Sequence, residues 1–465
     1  MSFNMKHSVM LLLGLSLSSN ALYSYGKTSI SLEQAVSLAQ QNDPWLQGNR
    51  LQQQALENQS IASSTLADPQ VSVGLMNLPV DTWDFEQEGM TQLKVGVSQM
   101  FPRGDSLQLK ASQLQLQASQ YPLLRENRKA QLRSNVSQLW LDVYLAQRTI
   151  ALIESDRVLF EQIAEIAEAS YASAVGKTRQ QDVIRAQLEI VQLEDRLTVE
   201  KQKLETSLAQ LNEWLHVYDQ SQPELAFNYD HSNYINAVVN EPPMLRLSNH
   251  ELLSADTYSR NRLAQALAAH PALLAIDAKE QAFAKGIEIA EQSYKPQWGV
   301  NASYGYRDDM PSGDSRADFF SVGVTFDLPL FTEKRQDQQV AASVAQTEAV
   351  KTEKLLLTKQ MVSAVEKELM QLTRLSQRKE IYTQKLIKQS HDQAQAALTA
   401  YTHDDGDFAE VVRARIAELN ARIAALKIDV DVLKTVARIN YFLSRFEHSD
   451  NSNQMSEREY HIGEQ

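Results

Sequence analysis

The sequence predicts a mixed α/β membrane protein in which long helical coiled coils are joined to four short β-strands, built as an internal duplication. Three observations carry this reading. Residues 332–405 contain neither Gly nor Pro, and neither do residues 407–462. Four short segments alternate apolar and polar residues with a period of two. The punctuation of the chain recurs at a fixed offset: Pro44 and Pro271, Pro69 and Pro296, Pro102 and Pro329 are each 227 residues apart.

In chain order, Lys6 and His7 precede the apolar run Val9–Leu17, and small and polar residues follow. This is the shape of a secretory signal peptide over residues 1–21. Ser19-Asn20-Ala21 offers a cleavage site, and Ser24-Tyr25-Gly26 a second. The first repeat then spans 30–215: a helix containing "NDPWL", a hairpin over 69–101, a very long helix, a tip turn at Gly176 and a returning helix. Residues 216–262, with Pro223 and Pro242-Pro243, link the halves and are expected to wrap the middle of the molecule as a mixed belt with the C-terminal tail. The second repeat, 263–445, has the same order, with "AHPAL", a hairpin over 296–328 and a tip turn at Gly406. "QDVIRAQLE" at 181–189 and "AEVVRARIA" at 409–417 mark the two returning helices. The polar stretch 446–465 is expected to be disordered.

The Gly- and Pro-free stretches are rich in Ala, Leu, Gln, Glu, Lys and Arg, which favour helix. Leu132, Val136, Leu139, Val143, Ala146, Ile150 and Ile153 are spaced 4, 3, 4, 3, 4, 3, and the series from Val412 to Leu433 repeats it. A sustained period of 3.5 marks coiled-coil packing. A plain coiled-coil filament would share this feature, though not the strands. Pro122, in "SQYPLLREN", predicts a kink or break in the first long helix.

The strand segments alternate over 70–76, 91–101, 297–306 and 319–328. Their apolar positions include Val71, Val73, Val95, Val97, Trp298, Val300, Tyr304, Phe320, Val322, Val324 and Phe326, with Ser, Gly, Gln, Asn and Thr between them. Strands of this length with one apolar side suit a membrane barrel, with that side toward lipid; an ordinary half-buried sheet alternates in the same way. The loops that join them, "PVDTWDFEQEG" and "RDDMPSGDSRAD", are too acidic for hydrocarbon. Four strands cannot close a barrel, since bacterial barrels start at about eight. Open edges are not viable in lipid, so a symmetric ring of copies is expected.

Composition excludes other classes. The net charge of −13 argues against nucleic acid. The chain has no Cys, which also excludes a lipidated Cys anchor. No G-x-S-x-G, H-E-x-x-H or phosphate loop is present, so no catalytic residue, cofactor or metal site is assigned and the chain is not read as an enzyme. "HDDGD" at 403–407 is read as a solvated turn rather than a cation site, and the scattered Met76, Met90, Met100 and Met310 as packing rather than a metal relay.

The duplicated Pro-plus-strand starts, "LPLF" at 328–331, "SYASAVG" at 170–176 and the paired "DVIRAQ" and "EVVRAR" segments together resemble the TolC-like outer-membrane factor family, the outer membrane efflux proteins, over about residues 30 to 445. The segment "VGVSQMFPRGDSLQL" is most similar to members from heavy-metal efflux systems. The resemblance implies a homotrimer with a 12-stranded barrel in outer-membrane lipid and a long periplasmic tunnel. It implies two partners, a periplasmic adapter and an inner-membrane transporter of the resistance-nodulation-division type, with the adapter docking at tips formed by Val175, Gly176, Asp405 and Gly406. It implies a periplasmic gate in which Asp182 and Tyr401 make a tying contact and Glu410 constricts the entrance. The family's second constricting acid falls at Arg413 here, which departs from the pattern. The exit duct of a type I protein secretion system is an alternative in the same fold, and a periplasmic coiled-coil scaffold without a pore is another.

Overall fold

The computed structural model describes residues 29–172, 179–216, 235–248, 259–403 and 406–446. The putting together of each repeat starts at a short helix. In the first, α1 (Leu32–Asn42) opens on a capping box in which the Ser31 hydroxyl accepts the Gln34 amide and Gln34 accepts the Ser31 amide. It leads to α2 (Pro44–Ser63), whose N-cap Asp43 accepts the Trp45 amide at 3.2 Å while Pro44 occupies the first helical position. Strands β2 (Gln70–Met76) and β3 (Gln92–Phe101) follow, then α3 (Ser106–Ala172) and the returning α4 (Gln180–Leu215).

The second repeat has α5 (Arg260–Leu267), α6 (Pro271–Glu291), β5 (Trp298–Tyr306), β6 (Phe319–Phe326), α7 (Gln336–Ile381), α8 (Ile387–Thr402) and the returning α9 (Phe408–Phe442). Two-residue strands, β1 (Ser29–Ile30) and β4 (Ala237–Val238), pair in parallel and tie the start of the first repeat to the segment between the repeats.

The two repeats solve one joint in two chemistries. At the 227-offset positions Asp43 and His270 both N-cap the short helix ahead of a Pro; His270 does so through Nδ1, which accepts the Ala272 amide at 3.2 Å. Its Nε2 lies 3.1 Å from the Tyr441 carbonyl, near the end of α9. Nε2 must therefore carry the proton and donate, leaving Nδ1 as the acceptor. In the first repeat the Asn42 amide donates to the Leu215 carbonyl, at the end of α4, at 2.9 Å. Each returning helix thus ends against the start of its repeat's short helix. His270 is fully buried, and burial pushes its pKa down to about 4, partly offset by the Tyr441 hydrogen bond.

Helix α3 has 67 residues and is about 100 Å long at 1.5 Å per residue. It runs unbroken through Pro122, so the chain does not break there. Interior proline loses a hydrogen bond and crowds the carbonyl four residues back, but α3 packs along both α2 and α6, and Arg125, three residues past Pro122, donates to Asn49 of α2 at 2.8 Å. A departure from α-helix falls instead in the other repeat, where a π turn at Tyr382–Leu386 separates α7 from α8.

The heptad positions form the core. Val136, Val143 and Val430 are buried in one cluster with Trp140, whose indole donates to the Ile30 carbonyl at 3.0 Å. Ile153, Val412 and Leu419 belong to a second cluster toward the tips. Leu263, Leu273, Val365 and Ile439 form a third around the α6–α9 joint. Among the described residues no helix is long and apolar enough to cross a membrane.

Candidate functional site

The four long strands form one antiparallel sheet in the order β2-β3-β5-β6. Pairing of β3 with β5 joins the hairpin of one repeat to that of the other. The register puts Val71 opposite Val97 and Val73 opposite Val95. It puts Tyr304 opposite both Val95 and Phe320, Val300 opposite Val324, and Trp298 opposite Phe326. Side chains directly opposite share a face. All eleven apolar residues singled out in the sequence therefore lie on one face, and each is exposed, from 41% at Val95 to 72% at Phe320. An uncovered apolar face of this extent needs a non-aqueous neighbour.

The other face is small and polar. Its glycines have a use: Ser72 Oγ, Met100 Sδ and Asn301 Oδ1 lie where a Cβ at Gly96, Gly299 and Gly323 would stand. Met100 thus packs over Gly299 on this face; among the described residues no group of three or more His, Cys, Asp or Glu stands where it could hold a metal ion. Within the sheet, only β2 and β6 have an unpaired edge.

At one end of the sheet the two acidic loops are tied together by Arg316, which donates to the Glu88 carbonyl at 3.3 Å and the Glu86 carbonyl at 3.2 Å. At the other end Arg103, just after β3, donates to the Lys295 carbonyl at 2.7 Å and forms a two-pronged ion pair with Asp327, just after β6. Asp327 also accepts the Gln297 amide at 2.7 Å. Lys295 pairs with Asp105 at 3.3 Å. These contacts clamp the two repeats where strands give way to helices. Sequence reasoning missed them, because Arg103 has no counterpart at the repeat-related position, which is Leu330.

The tips are described in part. Val175, Gly176 and Asp405 lie outside the described residues, as does the 1–21 segment. Gly406 is the exposed residue between α8 and α9, and a Cβ there would come within 2.7 Å of the Tyr401 backbone nitrogen. Only glycine lets the chain turn this closely onto the end of α8. Asp407 then N-caps α9 by accepting the Ala409 amide at 3.1 Å. The Tyr401 ring lies edge-on to Phe408, centroids 5.5 Å apart. Asp182 is buried in the first turn of α4, where its Oδ2 accepts the Arg179 amide at 3.0 Å. Glu410 and Arg413 are both exposed on the first turns of α9.

Behind the tips lies a buried charge network that periodicity could not reveal. Arg422 on α9 pairs with Asp156 on α3 at 2.9 Å. Glu418 accepts from Arg415 at 2.9 Å and meets His391 Nδ1, on α8, at 2.7 Å. Burial pushes the Asp156 carboxyl up, against the pull of Arg422 and with the push of Glu418. The Arg422–Asp156 and Glu418–His391 pairs join α3 and α8 to α9 about three to four turns from the start of α9.

Comparison with known proteins places this geometry. Residues 263–443 match the model of the outer membrane efflux protein family. The match lies within the second repeat, which is similar to the outer membrane efflux proteins. No curated protein matches the chain. Solved structures share the fold across nearly all of it. The CmeC outer membrane channel of Campylobacter jejuni is 14% identical, covers 98% of this chain and 97% of its own, and superposes with a TM-score of 0.70. The outer membrane protein VceC of Vibrio cholerae is 15% identical over 90% of this chain and 97% of its own, with a TM-score of 0.68. A CusC structure, described in terms of folding and transmembrane channel formation, is 14% identical over 95% and 99%, with a TM-score of 0.68.

Proposed function

We propose, from the match of the second repeat to the outer membrane efflux proteins and from the exposed apolar sheet, that the protein is the outer-membrane duct of a tripartite efflux pump. Three copies would close a 12-stranded barrel and continue as a periplasmic tunnel. The duct would conduct passively what a periplasmic adapter and an inner-membrane transporter, of the resistance-nodulation-division type, deliver to it. The observation that carries this is the sheet: one exposed apolar face, one small polar face, and two open edges. A lone sheet of this kind cannot sit in lipid with its edge amides unpaired. Pairing β6 of one copy with β2 of the next satisfies both edges and closes the ring.

The same sheet argues against the scaffold alternative, which has no use for an exposed apolar strand face. The secretion-duct alternative shares every feature of the barrel and differs in its partner. Heavy-metal ions are one candidate cargo, on the strength of the segment "VGVSQMFPRGDSLQL". The gate assignment follows the family pattern: Asp182 and Tyr401 tie the tips and Glu410 narrows the entrance. Mass measurement of the detergent-extracted protein is expected to give three copies of the 52.5 kDa chain, less any segment removed on export. A stable monomer that conducts ions in planar bilayers would overturn the trimeric barrel.

A further inference from the structure

The four strands that form the sheet hold one charged residue, Lys94. It lies on the small polar face, opposite Gly74 on one side and Gly305 on the other. No ion pair among the described residues involves it, whereas the charges at both ends of the sheet are tied: Arg103 to Asp327, Lys295 to Asp105, Arg316 to loop carbonyls. Nothing lies within 4 Å of where a Cβ of Gly74 would stand, so the Lys94 side chain does not fold over that neighbour. At Gly305 the space a Cβ would take is held by the Gln92 amide oxygen. The side chain is flanked by backbone without bulk and is left half-buried and uncompensated.

Resting on the barrel reading above, we infer that Lys94 builds a ring of three ammonium groups inside the barrel that favours anionic permeants and opposes bare metal cations. Twelve strands about 4.8 Å apart and tilted about 40° enclose a backbone circle roughly 12 Å in radius. A lysine reaching inward from that wall brings its charge toward the axis, and at physiological salt its field persists for about 8 Å. Rings of Lys or Arg are how pores select anions. The acids of the outer loops stand beyond the strand ends, and the ring is the charge at its own level of the barrel. Lys94 lies two residues inside the strand end at Gln92, about 7 Å along the strand, and no carboxylate stands on either strand beside it. A cargo that is anionic, or a metal carried as an anionic complex, would pass this level more readily than a free divalent cation.

The test uses the full-length protein in planar bilayers under a potassium chloride gradient. Reversal potentials are compared for wild type, Lys94→Gln and Lys94→Glu, each also with Asp182→Ala and Tyr401→Phe so that the periplasmic end does not dominate. The chloride-to-potassium permeability ratio is expected to fall in that order, by about two-fold or more from wild type to Lys94→Glu. Because the chain has no Cys, Lys94→Cys and Val95→Cys each carry a single thiol. A water-soluble methanethiosulfonate bearing a sulfonate should react at position 94 and not at 95. If channels open but 95 reacts and 94 does not, the faces of the sheet are reversed and the barrel reading falls. If 94 reacts as expected and the reversal potential is the same in all three proteins in both backgrounds, the barrel stands and the anion ring is overturned.

Discussion

Placing Arg at Val322 tests the facing of the sheet most directly. Val322 lies opposite Ala302 in the middle of β6 and is 64% exposed on the apolar face. Its neighbour Ser321, opposite Ser303, lies on the small polar face. If the apolar face meets lipid, Val322→Arg sets a cation near the membrane midplane, which costs about 2–4 kcal/mol per copy. With three copies the trimer bears roughly 6–12 kcal/mol, comparable to the whole stability of an ordinary domain. Ser321→Arg puts the same side chain one residue away in a watery lumen and escapes that cost. Val324→Arg, two residues on and opposite Val300, should behave like Val322→Arg. The assay is the yield of heat-modifiable trimer in purified outer membranes, read by unheated and heated gel electrophoresis. Loss of trimer in both valine variants with near-normal yield of Ser321→Arg is expected. Equal yields for Val322→Arg and Ser321→Arg would refute the lipid-facing assignment.

His270 gives a pH prediction. Its pKa is about 4 in the folded chain against 6.5 as the ordinary value. A depressed pKa means that the contribution is fully present above pH 6.5 and is lost as pH falls toward 4, where the unfolded chain takes up the proton first. The loss is about 3 kcal/mol per copy over that window. Chemical denaturation of wild type and His270→Asn across pH 7.5 to 4 should show a flatter profile for the variant; parallel profiles would count against the buried neutral imidazole. At the gate, Tyr401→Phe with Asp182→Ala should raise single-channel conductance. Glu410→Ala should weaken block by multivalent cations added on the periplasmic side. Unchanged conductance with normal trimer yield would put the gate elsewhere. Gly406→Ala drives a Cβ onto the Tyr401 amide nitrogen, 2.7 Å away, and should speed hydrogen exchange over the α8–α9 turn; unaltered exchange there would show that the turn gives without strain.

The sequence by itself determined what repetition and period can encode. Alternation over 70–76, 91–101, 297–306 and 319–328 sorted the strand residues onto two faces before any pairing was known, because a strand's side chains alternate whatever its partner. The 4–3 spacing from Leu132 to Ile153 marked the buried stripe of α3 for the same kind of reason. The offset Pro44–Pro271 marked the two joints. Tertiary structure alone decided what depends on residues far apart in the chain. That β3 pairs with β5, and so makes two hairpins one sheet, follows from docking of the two repeats. The Arg103–Asp327 clamp spans 224 residues and departs from the repeat. Pro122 stayed helical because α2 and α6 flank it, which a local rule cannot count. The isolation of Lys94 emerged in the same way. Its charge was plain in the sequence, but its two glycine neighbours and its lack of a carboxylate partner are facts of register, and register is set by the whole sheet.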